Sequence, residues 1–188
     1  MQQYLGLKNQ FLIAMPQLSD PRFSHTVTYV VNHTADGAMG FIINRPSPSS
    51  FGDMFKKYKI EPYPGFNQTT PIYNGGPLQP DRGFILHSND RINWSNTVKI
   101  TDDFSVTASK DVLEAIAMGV GPNQYLFTLG YTSWSEQQVE QEMAANTWLT
   151  VPMDENVMFN LPSELRWQAA GLQVGIDIHL MPQHAGHA

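Results

Sequence analysis

The chain has 188 residues, a mass of 21.1 kDa and a formal net charge of -6, a size at which one domain can bury a core without disulfides. Hydrophobic residues at 41% exclude disorder of the whole chain. The absence of cysteine excludes disulfides, thiol catalysis and Cys-ligated zinc or iron–sulfur centres. The expected organisation is a single domain over 1–188, with a flexible tail from 181 to 188. Charge is unevenly placed. Residues 1–110 hold ten bases against eight acids, while 111–165 hold eight acids and no base. That segment repels a polyanion and reads as a solvated acidic surface, the sharper alternative being the docking of a basic partner or a cation. The apolar run at 11–15 is too short for a secretory core, and no run is long enough for a membrane helix. A cytoplasmic location with no membrane contact is the expectation.

In chain order, 26–33 and 38–44 read as a hairpin around Thr34-Ala35-Asp36-Gly37, because Asp-Gly supplies the backbone freedom that a tight turn needs. Gly40-Phe41-Ile42-Ile43 lacks alternation, as in a strand covered on both faces, and Asn44-Arg45-Pro46 ends it. Ser49 or Ser50 caps a helix with Phe51, Met54, Phe55 and Tyr58 on one face, and Lys56, Lys57 and Lys59 at its cation-favouring end. Residues 61–70 are loop by composition. A strand at 71–74 precedes the loop Gly75-Gly76-Pro77-Leu78-Gln79-Pro80-Asp81, and further strands are expected at 82–88, 97–100 and 104–107, with Asp102-Asp103 in a turn. Ser109 opens a helix that Gly119 closes. The strand 125–131 leads into Ser133-Trp134-Ser135-Glu136, which fits a capping box for a helix reaching Ala145. A strand at 147–151 and a helix at 162–172 complete the pattern. Strands outnumber helices without regular βαβ alternation, which implies a mixed sheet of the α+β class.

Chemical signatures are few. Gly119-Val120-Gly121-Pro122 follows a helix and lacks the third glycine of a dinucleotide loop. No phosphate loop, no Gly-x-Ser-x-Gly elbow and no His-Glu-x-x-His pair occurs in the sequence. His179, His184 and His187 share a metal only if the tail folds, so no metal site and no cofactor is expected. The constellation with chemical potential sits at strand ends. It comprises Asp20, Arg22 and His25, then Asn44 and Arg45, then Gly75 and Gly76 through Asp81 and Arg82 to His87. Gly75 and Gly76 can form an anion-binding nest, with Arg45 or Arg82 as bidentate donors. The plainer alternatives are a tight Gly-Gly-Pro turn and satisfied core histidines at His25 and His87.

These stretches carry a resemblance. Phe11-Leu12-Ile13-Ala14-Met15-Pro16, Gly37-Ala38-Met39-Gly40-Phe41-Ile42-Ile43-Asn44-Arg45-Pro46, Gly75-Gly76-Pro77 with Arg82-Gly83-Phe84-Ile85-Leu86-His87, Leu129-Gly130-Tyr131 with Trp134, Glu140-x-Glu142, Trp148 and Arg166-Trp167 resemble the YqgE/AlgH family in order. The match is weak only around 47–73 and 88–100. Ser133 departs from the family, which usually has Gly before the Trp. The resemblance implies an α+β fold whose mixed, branched β-sheet is partly closed into a small barrel with peripheral helices. It also implies a cytoplasmic bacterial protein without a settled biochemical activity, part of the family name deriving from a proposed role in transcriptional regulation of alginate production.

Three functional expectations follow. The first is a non-enzymatic regulatory or protein-interaction domain that meets an unidentified protein through Glu136, Glu140 and Glu142. The second is a binder, or weak hydrolase, of a small anionic ligand at Asp20, His25, Asn44, Arg45, Gly75, Gly76, Asp81, Arg82 and His87. Direct DNA binding by a transcriptional regulator is the third, and the net charge and the lack of a basic reading helix disfavour it.

Overall fold

The computed structural model describes residues 6–90 and 93–182. Ten strands form one sheet: β1 (Gln10–Ala14), β2 (Val27–Thr34), β3 (Gly37–Ile42), β4 (Pro46–Ser50), β5 (Pro71–Asn74), β6 (Leu78–Ser88), β7 (Thr97–Lys99), β8 (Phe104–Thr107), β9 (Tyr125–Ser135) and β10 (Trp148–Pro152). Among the described residues four α-helices accompany them, α1 (Phe51–Tyr58), α2 (Lys110–Ala117), α3 (Gln138–Ala144) and α4 (Ser163–Leu172), with short π and 3-10 turns at Asn156–Asn160 and Ile178–Leu180. The order across the sheet is β10-β1-β2-β3-β9-β6-β8-β7, and β5 leaves this path to join β4 to β9. All pairings are antiparallel except β5 with β9, so the sheet is mixed. Its branch lies on β9. The first half of β9 pairs with β5 through Thr128 and Leu129, and its last residues pair with β3 through Thr132 to Ser135. Gly130 stands at the switch with φ +72, and a Cβ there would lie 2.6 Å from the Gly76 carbonyl oxygen, so only glycine lets the strand change partners at that spacing.

Both faces of the sheet are covered, which explains the unalternating apolar runs. Phe11 and Ile13 of β1 point into the large core with Phe41, Leu86, Trp167 and Met158. Leu12 and Ala14, of opposite parity, join Val30, Trp134 and Trp148 under α3. A third cluster puts α1 and α2 against Ile72, Ile85 and Phe127. In α1 the capping box forms, with the Ser50 hydroxyl accepting from Asp53 N–H and the Asp53 carboxylate accepting from Ser50 N–H. Capping contributes about 1 kcal/mol. Burial of Phe51, Met54 and Phe55 contributes roughly 1.5–3 kcal/mol each, so packing places this helix.

Several expectations need correction. The apolar run at 11–15, to which the sequence reading gave no element, supplies most of β1 (Gln10–Ala14), paired on both edges. The strand expected over 38–44 stops at Ile42, two residues before Asn44, and the chain resumes at Pro46 as β4, whose interrupted register and two prolines suit an edge strand. The strand expected at 82–88 starts at Leu78, with a register shift between Leu78 and Gly83. The capping box expected at Ser133-Trp134-Ser135-Glu136 is absent because these residues, through Ser135, complete β9. The Gln138 side chain instead accepts from Ser135 N–H at 3.0 Å. Trp134 is paired with Ala38 across the β3–β9 ladder, and that pairing holds its segment extended. His25 is in a turn with φ +58 rather than on a strand. The hairpin, α2 and its stop at Gly119, and the turn at Asp102-Asp103 form as expected. His184, His187 and most of the 181–188 tail lie outside the described residues.

Candidate functional site

The loop between β1 and β2 is organised by its own charges. The Arg22 guanidinium donates from Nε and Nη2 to the Asp20 carboxylate, the closest contact being 2.7 Å. These bonds hold the Asp20 carboxyl below the usual carboxylate range. Asn44, where β3 ends, clamps the loop from the other side: its Nδ2 donates to the His25 carbonyl at 2.8 Å and its Oδ1 accepts from Val27 N–H at 2.8 Å. Arg45 donates from Nη1 to the Arg22 carbonyl and from Nη2 to the Ser24 carbonyl at 3.0 Å. Partial burial lowers the Arg45 pKa and the Asp20 charge opposes that shift. His25 lies against the Trp167 ring, centroids 4.5 Å apart, with the Ser24 hydroxyl 2.7 Å from Nδ1.

Gly75 and Gly76 adjoin this cluster, and their geometry is that of close packing. Gly75 N–H donates to the Leu129 carbonyl at 2.7 Å, which removes one of the two donors an anion nest needs. A Cβ on Gly76 would lie 2.2 Å from the Tyr131 carbonyl carbon. Arg22, Arg45, Asn74 and Gly76 together line a pocket of about 200 Å3.

The remaining candidates lie elsewhere. Asp81 and Arg82 are exposed on β6; Arg82 donates to the Gln79 side chain at 3.2 Å and covers the Phe84 ring. His87 is buried on the same strand, its Nδ1 2.9 Å from the Ser88 carbonyl and its Nε2 2.8 Å from the Thr107 hydroxyl. Burial pushes the His87 pKa below its ordinary value, against the smaller opposing effects of Ser88 and Asp90. The native state therefore keeps this imidazole neutral, whereas the unfolded chain takes up a proton below pH about 6.5. Stability is complete above that value and falls as pH drops from it toward the folded-state pKa, with a slope of at most about 1.4 kcal/mol per pH unit for one proton. Urea titrations between pH 5 and pH 8 should show this slope reduced in His87→Gln. An unchanged slope would rule out His87 as its source.

The three glutamates separate as well. Glu136 is exposed. Glu140 sits 2.8 Å from His33 Nε2, and since His33 Nδ1 accepts from Leu7 N–H, the imidazole donates to this carboxylate. Glu142 accepts through Oε2 from both the Trp134 and Trp148 indoles, at 2.9 and 2.7 Å, and through Oε1 from Gln138 at 2.9 Å. Two of the three acids are thus anchors that dock α3 on the sheet.

Sequence reasoning missed what these anchors build. A groove of about 440 Å3 runs between the 18–23 loop, the start of β6 and the end of β9. Its apolar surface includes Phe23, Trp134, Trp148 and the half-exposed Leu78. Thr132, only 2% exposed, lines it, and among the described residues its hydroxyl has no hydrogen-bond partner. Ser133 also lines it. Alternation along β9 carried a signal: Thr132 and Trp134 share one face. Among the described residues no group of three or more His, Asp and Glu is placed to hold a metal, and no helix is long and apolar enough to cross a membrane.

Comparison with known proteins agrees across this whole frame. A family profile described as AlgH-like matches residues 11–179. A UPF0301 protein of Saccharophagus degradans is 45% identical over 99% of this chain and 91% of its own length. One of Pseudomonas fluorescens is 47% identical, with 97% and 96% covered. The solution structure of the AlgH protein from Pseudomonas aeruginosa superposes with a TM-score of 0.79 at 42% identity, covering both chains completely. A crystal structure of a Corynebacterium diphtheriae protein shares the fold at 14% identity, with a TM-score of 0.71 over 96% of this chain and 93% of its own. With a curled, largely antiparallel sheet, few helices and these relatives, the chain belongs to the AlgH-like family of bacterial proteins.

Proposed function

We propose that this protein acts by binding rather than by chemistry, as a cytoplasmic regulatory or protein-interaction domain whose contact surface is the groove beside α3. The observation that carries this reading is the groove itself: aromatic walls, with Leu78 41% exposed at its edge and its one α3 carboxylate, Glu142, already spent on two indoles and an amide. Leu78 and Phe23 present apolar surface over a rigid floor of nearly buried tryptophans, and burying such surface on a preorganised wall contributes affinity with little entropy cost. The buried imidazoles His87 and His33 are tied to internal partners, as structural side chains are. The acidic contribution to binding narrows to Glu136, because Glu140 and Glu142 hold the fold.

A competition of immobilised variants in bacterial lysate tests the reading. Leu78→Glu alters the groove, and Met118→Glu alters an exposed residue at the end of α2. A partner retained by the wild type and by Met118→Glu should bind Leu78→Glu at least tenfold more weakly, with the three proteins equally stable to heat. Equal retention by all three would overturn the proposal. A small anionic ligand is the second reading, favoured by Arg22 and Arg45 sharing one pocket.

A further inference from the structure

The groove and the smaller pocket share Arg22 and Pro77, so an occupant of one reaches the other. Arg22 spends Nε and Nη2 on Asp20, and among the described residues its Nη1 donates to nothing. Arg45 spends Nη1 and Nη2 on carbonyls, one of them that of Arg22 itself, and its Nε is similarly unspent. Two guanidiniums therefore line one pocket, each tethered and each with a nitrogen still unspent, and Asp20 balances only one of the two charges. Asn74 lines the same pocket, and its side-chain amide has no hydrogen-bond partner among the described residues. An anion belongs there. The pocket is small, about 200 Å3, and Gly75 N–H is committed to Leu129, so one of the two backbone donors that would cradle a phosphate is spent. A two-oxygen anion matches guanidinium edges better.

Beyond the dibasic pocket, the groove offers the exposed apolar surface of Leu78 and the partly buried Phe23 over a floor formed by the nearly buried Trp134 and Trp148. Thr132, whose hydroxyl can pair with a main-chain amide, lines the groove as well. We propose that the site captures the C-terminal end of a partner polypeptide, with the free carboxylate between Arg22 and Arg45 and the preceding apolar side chains along the aromatic wall. Terminal carboxylates are a recurrent handle for peptide recognition. This inference rests on the groove being the contact surface.

The test uses the whole chain, 15N-labelled, titrated with acetylated hexapeptides that end in two residues drawn from Leu, Ile, Val and Phe. Each peptide is made as the free acid and as the C-terminal amide. The acids should shift backbone resonances of 18–23, 76–78 and 132–134, and the amides should bind at least tenfold more weakly. Arg22→Gln, at an exposed side chain, should bring acid binding down to the amide level without changing the melting temperature. Acids and amides that bind alike, shifts confined elsewhere, or no shifts at all would overturn the inference. If that occurs while Leu78→Glu still abolishes lysate capture, only the C-terminal inference falls. If Leu78→Glu also leaves capture intact, the groove reading falls with it.

Discussion

Replacing Arg166 with Met should lower the unfolding free energy by about 2–4 kcal/mol, on the scale of leaving buried acceptors without their charged donor. Arg166 is 3% exposed on α4. It donates from Nε to the Leu161 carbonyl at 3.0 Å, from Nη1 to the Ile43 carbonyl and from Nη2 to the Tyr73 hydroxyl at 3.3 Å, and it lies over the Tyr73 ring. Burial pulls its pKa down, and Tyr73 opposes the shift. No carboxylate forms an ion pair with it among the described residues, so carbonyl dipoles and an aromatic face stabilise the charge. Methionine fills much of the volume but leaves two buried carbonyls and a phenol unpaired. Ile43 precedes Asn44 and Arg45, so the loosened end of β3 should also blur the loop that holds Arg22. Urea unfolding of the two proteins measures the effect, and a loss below about 1 kcal/mol would show that water reaches those carbonyls.

Gly76→Ala should cost about 4 kcal/mol or more, at the upper end of single substitutions, because it combines a backbone overlap with an unfavourable φ. The Cβ would lie 2.2 Å from the carbonyl carbon and oxygen of Tyr131 and 2.6 Å from Thr132 N. These are main-chain atoms of β9, and they cannot move without opening the ladder to β3 or β6. Gly6→Ala, where nothing lies within 4 Å, is the control and should melt like the wild type. If Gly76→Ala also melts like the wild type, the close approach of this turn to β9 is not required, and a looser loop with free amides becomes tenable. The substitution thus separates the packing role of the Gly-Gly pair from a nest.

Local chemistry made much of the fold legible. The hairpin around Asp36-Gly37, the Ser50 cap of α1 and the strand over 71–74 follow from turn propensity, capping and β-rich runs, all short-range signals. What local reading left unassigned were strands whose identity depends on distant partners. β1 and β4 lack alternation or carry prolines and become strands only because β10, β2 and β5 pair with them. The site shows the same division. Asp20 with Arg22, and Asn44 beside Arg45, are sequence neighbours, and their common location is visible at strand ends. Glu142 with two tryptophans, and His33 with Glu140, join residues up to 107 positions apart, so the roll of acids in 111–165 reads as a free surface until α3 is docked.

The sequence by itself determined the class of fold, the family pattern and the exclusion of thiol chemistry, because composition, periodicity and turn residues act over a few positions. It also marked one segment as acidic. Only the tertiary structure decided which acids remain free, where the tryptophans stand and which arginines share a pocket. Those properties arise when β9 changes partners at Gly130 and brings β3, β5, β6 and α3 around one strand. The net charge of -6 is therefore a poor guide to the groove. Two of the three glutamates of α3 and the turn before it are consumed in docking the helix, and two arginines from the near-neutral part of the chain face the space between.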